Sequence, residues 1–247
     1  MAIIEETNSL LDIVKYTPIR CDTHFKYNIK LANHFFENNS IEWVSLGSIL
    51  KNIRNGMNIS TDYYSMEATN YEYISVSQIK EYGLAKKNQN FLMANVTKLK
   101  NFFEIKENML LVTRSGTIGV AISSSHPSFD YEEKTYVASG FVITAEMQEG
   151  FSAKLIANYM NLYPVQRYLI AMSSGACQKN ISQPVIANLP IPSSMLLPDN
   201  KYQKLFDEYE DQSKEILKRI EVQERKLEDI KRDISDTVLS EIEKDYR

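Results

Sequence analysis

After Pro198 neither glycine nor proline occurs through residue 247, and apolar residues return there in a seven-residue rhythm. Phe206, Ile220, Leu227 and Ile234 share one heptad position, Tyr209, Ile216 and Ile230 share the other, and Ser213, Gln223, Thr237 and Glu241 interrupt them. This pattern predicts one long coiled-coil-type helix over residues 199–247, capped at Asp199 and running roughly 65 Å from Tyr202 to Lys244 at the standard helical rise. An amphipathic helix draws most of its stability from packing its apolar face, so the stripe must meet either a second helix or the chain's own domain.

The preceding residues read as a mixed, α+β domain. Strand candidates are 71–76 (YEYISV), 109–114, 118–123 and 135–144, with Tyr71, Tyr73 and Ser75 on one face of the first and Glu72, Ile74 and Val76 on the other. Ser45 is placed to cap a short helix through Ile53, Asn55-Gly56 marks a turn, and a short helix follows Asn95. SAKLIANYMNLYPVQRYLIAM is helical and broken or kinked at Pro164. The loop SSGACQKN follows, then a segment capped by Ser182 that reaches Leu189, and PIP (190–192) closes the domain at residue 198. Strands interleaved with short helices, without a regular βαβ repeat, give the fold class. Residues 1–40 lack clean periodicity apart from a helix at 29–36, and read as a leader that packs loosely or binds something.

Charge neither demands nor excludes a polyanionic partner. The formal net charge is −4, and residues 199–247, with 11 bases and 15 acids, account for it, leaving 41–198 near neutral with 13 and 12. With no run of 18 apolar residues and with acids in the opening MAIIEETNSL, the chain reads as cytoplasmic, with no membrane partner. Cys21 and Cys177 lie far apart with no zinc spacing, and His24, His34 and His126 show no ligand spacing, so no metal site is indicated and no cofactor is called for.

Enzyme motifs are absent: G-x-S-x-G, H-E-x-x-H, the P-loop and G-x-G-x-x-G do not occur, nor does the Asn/Asp-Pro-Pro-aromatic pocket of adenine methyltransferases. Glu132-Glu133-Lys134 matches the E-x-K half of a metal-dependent nuclease, with Glu104 or Glu107 as the partner acid, though YEEK before a strand also suits a solvated turn. Gly116-Thr117-Ile118-Gly119 matches the G-x-x-G of KH domains, but its flanks are strands where KH has helices. What remains is a group of loops rich in donors: 51–56 with Arg54, 86–90 with Lys86, Lys87 and Asn88, 114–117 with Arg114, Ser115 and Thr117, and 178–180 with Lys179 and Asn180. Arg, Lys, Asn and Gln match the hydrogen-bonding edges of purines, and Ser, Thr and backbone amides suit phosphates. Arg114 has a competing use as an ion-pair partner of Glu132 or Glu146.

The order of these segments resembles one target-recognition domain plus one spacer helix of a type I restriction-modification specificity subunit. The resemblance is carried by IEWVSLGSILKNIRNG, YEYISVSQI with its following glycine, LLVTRSGTIG, SSGACQKNISQPVIANLPIP and KYQKLFDEYEDQ, and covers about residues 41–245. It implies a non-catalytic chain: 41–198 as a DNA target-recognition domain reading half of a split site from the major groove, and 199–247 as a spacer and dimerisation helix. It also implies double-stranded DNA, methyltransferase subunits and a restriction subunit as partners. Such subunits carry two domains and two helices, and this chain has one of each, so a homodimer through the helix is expected. The residues it offers to DNA are Arg114, Ser115 and Thr117, then Lys179 and Asn180, then Arg54, Lys86, Lys87 and Asn88. The alternatives are a coiled-coil adaptor or decoy that binds methyltransferase subunits without DNA, and a metal-dependent nuclease.

Overall fold

The second half of the leader is helical. In the computed structural model, which describes residues 23–85, 89–175, 178–198 and 200–245, Thr23–Phe36 forms helix α1. Trp43–Ser45 (β1), Leu50–Asn55 (β2), Tyr64–Ser65 (β3), Tyr71–Ile74 (β4), Ile79–Lys80 (β5), Gly83–Leu84 (β6) and Phe91–Leu92 (β7) follow. Met109–Thr113 (β8), Ala121–Ser123 (β9), Thr135–Ala138 (β10) and Val142–Met147 (β11) lead to helices Ala153–Met160 (α2), Tyr163–Met172 (α3) and Gln183–Ala187 (α4), then to Pro190–Pro192 (β12). Lys201–Asp245 (α5) is a unit of its own, apart from a head that runs to Asn200. Cys21, Lys86, Lys87, Asn88, Cys177 and Asp199, named above, lie outside the described residues.

Helix and sheet are mixed in the head, as the α+β expectation requires. Two four-stranded sheets, ordered β10-β4-β7-β3 and β2-β11-β8-β9, share one apolar core. Ile74 of β4 and Tyr136 of β10 meet Met109 and Leu111 of β8, Ile122 of β9 and Val142 beside them, all buried. Each such Ile or Leu side chain contributes about 1.5–3 kcal/mol by leaving water. The alternation read in YEYISV holds: Tyr71 and Tyr73 turn to a second cluster with Leu92, Val96 and Val137, and Ile74 and Val76 turn to the first. Helix α2 covers the other face of β8 and β9, and α4 lies against β2.

Several sequence expectations are corrected. Residues 46–49 form only a 3-10 turn, with no side-chain cap from Ser45, and 50–55 are a strand. The spacing of Leu46, Ile49, Leu50 and Ile53 suits a helix, but pairing with β11, from Ile143↔Asn55 to Met147↔Leu50, takes the segment instead. The stretch 135–144 is two strands: β10 pairs parallel to β4, and β11 pairs antiparallel to β8 and β2. Between them the Val142 N–H donates to the Ser139 carbonyl at 2.8 Å, a tight turn that carries the chain from one sheet to the other. Only Ala121–Ser123 of 118–123 is strand, because Gly119 turns the chain at φ +77°. The helix expected after Asn95 is a 3-10 turn, Ala94–Lys98. Pro164 breaks rather than kinks its stretch and stands in the first turn of α3, where its missing N–H costs nothing. Ser182 precedes α4 without a capping hydrogen bond.

The leader's described helix is docked, not loose. Phe25, Ala32 and Phe36 of α1 are buried, and α1 packs on α3 with the Phe36 and Tyr168 rings 5.1 Å apart. Phe35 meets Trp43 edge-on at 5.4 Å, and β1 pairs antiparallel with β12, so the leader helix and the closing PIP segment brace the same corner.

Candidate nucleic-acid interface

The break in LVTRSGTIGVAI is a tight loop between β8 and β9. The Gly119 N–H donates to the Thr113 carbonyl and the Val120 N–H to the Thr113 hydroxyl, each at 2.9 Å. Gly116 and Gly119 both stand at φ +77°, a region that side chains avoid, and a Cβ on Gly119 would lie 2.9 Å from a Leu169 methyl. The glycines therefore serve the turn and leave Arg114, Ser115 and Thr117 for other purposes.

Main-chain bonds tie this loop to its neighbours. The Arg114 N–H donates to the Phe141 carbonyl at 2.9 Å on one side, and on the other the Arg114 carbonyl accepts from the Ile181 N–H at 2.9 Å. Ser115 and Asn180 form an antiparallel bridge, and Asn180 bridges Ser174 in turn. Beyond Phe141, the Gly56 N–H donates to the Val142 carbonyl at 2.8 Å and the Gly140 N–H to the Met57 carbonyl at 2.9 Å. Segments 55–57, 139–141, 114–117 and 178–181 thus lie abreast at one end of the β2-β11-β8-β9 sheet. Three of the four loops singled out in the sequence converge here; 86–88 lies outside the described residues.

The predicted contact residues fare differently. Arg114 is half-buried, and among the described residues its guanidinium has no hydrogen bond or ion pair. The expected competitor Glu146 lies 3.9 Å from Arg54 instead. Thr117 is exposed, and Lys179 and Asn180 are partly so. Ser115 is not outward-facing as expected: it is 3% exposed and its hydroxyl accepts from Gln178 Nε2 at 2.6 Å, so it locks the 178–180 loop. Arg54 is in a strand rather than a loop, with its guanidinium 3.5 Å from the centroid of the Phe103 ring and its side chain 40% exposed.

Phe141 was missed in the sequence. It stands 55% exposed at the tip between β10 and β11. The one clue was the Gly140 before it, set inside an apolar run: a Cβ at that glycine would collide with the Asn58 side chain.

The nuclease motif has another use. Lys134 Nζ donates to Glu72 Oε2 at 2.7 Å, and Gln78 and Gln89 amides donate to Oε1 at 3.1 and 3.0 Å. Burial lowers the Lys134 pKa, but the hydrogen bond and charge of Glu72 outweigh it and leave the ammonium above its ordinary value. An ammonium so held is not available to steady an attacking water. His126 is likewise engaged, its Nδ1 2.9 Å from the Ser128 hydroxyl.

On α5, Tyr209, Ile216, Ile220, Leu227, Ile230 and Ile234 are exposed, and Phe206 is half-buried. Ile216, Ile220 and Leu227 line a shallow apolar depression with Arg219 and Gln223. Among the described residues no helix is long and apolar enough to cross a membrane.

No family model and no curated protein matches the chain. Three solved structures are similar in fold. The S subunit of a type I restriction-modification system from M. genitalium is 17% identical, with a TM-score of 0.43 over 69% of this chain and 40% of that one. The HsdS subunit from Thermoanaerobacter tengcongensis is 12% identical, with a TM-score of 0.48 over 79% and 44%. A third, from work on complex assembly and conformational transition of the type I R-M system, is 12% identical with a TM-score of 0.47 over 79% and 46%. This chain therefore spans less than half the length of each.

Proposed function

We propose that this chain is a non-catalytic DNA sequence reader of the type I specificity kind, which directs methyltransferase and restriction subunits in the cytoplasm to one half of a bipartite site. One observation carries the reading: the Ser115–Asn180 bridge sets the arginine turn and the lysine loop abreast at one sheet end, with Arg114 uncommitted among the described residues. A guanidinium held by main-chain bonds on both sides can fork onto guanine O6 and N7, and Thr117 and Lys179 beside it suit phosphates. Ser115 acts here by position rather than by contact. Two copies pair antiparallel through α5, which gives two-fold symmetry and an inverted-repeat target.

The test is selection from a random duplex pool with the full chain, followed by fluorescence anisotropy on the enriched site. We expect one motif, and a loss of about 5- to 150-fold for Arg114→Ala on that motif alone. A phosphate contact would instead weaken every sequence alike. Absence of any enriched motif at low salt sinks the reading, and co-purification with type I methyltransferase subunits in that case selects the adaptor.

A further inference from the structure

We infer that Phe141 reads DNA together with Arg114, by packing on the C5-methyl group of a thymine next to the guanine that the arginine forks. The inference rests on the DNA-reading function proposed above and adds to it a residue and a base.

The Phe141 side chain points away from the core while its backbone is tied down. Its ring is 55% exposed and, among the described residues, joins none of the aromatic pairs of the head. Its backbone, in contrast, is fixed. The Phe141 carbonyl accepts from Arg114, the next N–H donates back to Ser139 at 2.8 Å, and the preceding N–H, of Gly140, donates to Met57 at 2.9 Å. A loose apolar residue at a surface tip is common, but an apolar ring presented on a braced turn is set up for contact.

The ladder places its partner. The ladder ends at Val142↔Thr113, and one step beyond it the Arg114 N–H bonds the Phe141 carbonyl at 2.9 Å, so the two residues stand opposite each other where the strands leave off. Residues directly opposite in an antiparallel pair project on the same side of the sheet with Cβ atoms about 4.5–5.5 Å apart. Successive base pairs are stacked roughly 3.4 Å apart, so two side chains at that spacing span neighbouring steps. In the major groove guanine shows two acceptors, which match the guanidinium, and thymine shows a methyl group, which an aromatic ring can cover. A cation and an apolar ring side by side match that pair of edges. They match less well a run of phosphates, which has no apolar group for the ring.

The experiment uses the full wild-type chain and its selected site, with each thymine replaced in turn by deoxyuridine, a change that removes only the methyl group. We expect one thymine, adjacent to the guanine whose readout Arg114→Ala relaxes, to lose about three- to five-fold in affinity, the scale of one buried methyl. Phe141→Ala should bind the thymine site more weakly and show no further loss with uracil at that position, and Phe141→Leu should keep part of the discrimination. Thermal melting of each variant checks the fold, and the uracil scan on wild type needs no variant at all. If wild type ignores every methyl, or if Phe141→Ala retains the full penalty, the ring is not the reader and the inference fails while the DNA function stands. If wild type selects no sequence, the DNA function itself fails and the inference with it.

Discussion

Glu72 is a carboxylate with only 2% of its surface exposed, and its stability depends on three donors arriving from elsewhere in the chain. Removing the charged one leaves an ion in the interior with only amides to hold it, so Lys134→Ala should destabilise the head by about 3–5 kcal/mol in urea unfolding. A change near zero would mean that water reaches Glu72. Tyr73 makes a second residue-scale case. Its hydroxyl donates to the Met57 carbonyl at 2.6 Å, and burial, then the neighbouring Tyr64, pushes its pKa up to about 12. An unfolded tyrosine ionises near 10, so above that pH the unfolded chain sheds a proton that the folded one keeps. Stability from this group is full below pH 10 and is lost as pH rises toward 12. Tyr73→Phe should cost about 1 kcal/mol at neutral pH and remove one late-ionising tyrosine from the absorbance titration. The facing of residues 71–74 was legible from alternation alone, because period two is a property of the strand, although the strand stops at Ile74, two residues short of the expected end. Glu72's partner was not, since Lys134 lies 62 residues away and only the fold brings it near.

At the level of elements, local chemistry predicted what local chemistry controls. Pro164 marked a helix boundary, PIP marked a closing segment, and the glycines of 116–119 marked a turn, each through its own backbone restriction. What the letters did not reveal was pairing: 50–55 became a strand because β11 lay beside it, and 135–144 broke in two because its halves join different sheets. The candidate site was half legible for the same reason. Its donors could be picked out by residue type, but Ser115 turned inward and Arg54 lay down on Phe103 through contacts made only in the folded head. A paired substitution tests the turn. Gly119 and Gly150 both have positive φ, at +77° and +88°, but a Cβ at Gly119 meets Leu169 and one at Gly150 meets nothing. Gly150→Ala should lose about 1 kcal/mol from backbone strain, and Gly119→Ala measurably more in the same thermal unfolding assay. Equal losses would remove the contact with α3 from the account.

At the scale of the whole molecule, the question is what covers α5. Its heptad positions carry a run of exposed apolar side chains from Tyr209 to Ile234 along 45 helical residues. We expect light scattering after size exclusion to give a dimer at tens of micromolar. Ile220→Asp with Leu227→Asp should return it to monomer, because a charge in an apolar seam has no partner there. The same variant should keep half-site contacts and lose the two-fold-symmetric site. A wild-type chain that stays monomeric at those concentrations would point to pairing with a different chain.

Apart from the Ser115–Gln178 bond and the glycines, the sheet end at residues 55–57, 114–117, 139–141 and 178–181 is fastened through amide and carbonyl groups, which are the same for every amino acid. Its tips can therefore be rewritten letter by letter, as tumblers are recut in a lock whose barrel stays the same. On the proposed reading, exchanging Arg114 or Phe141 should re-address the molecule to a new sequence without asking the scaffold to fold anew, whereas exchanging Thr117 or Lys179 should change affinity alone.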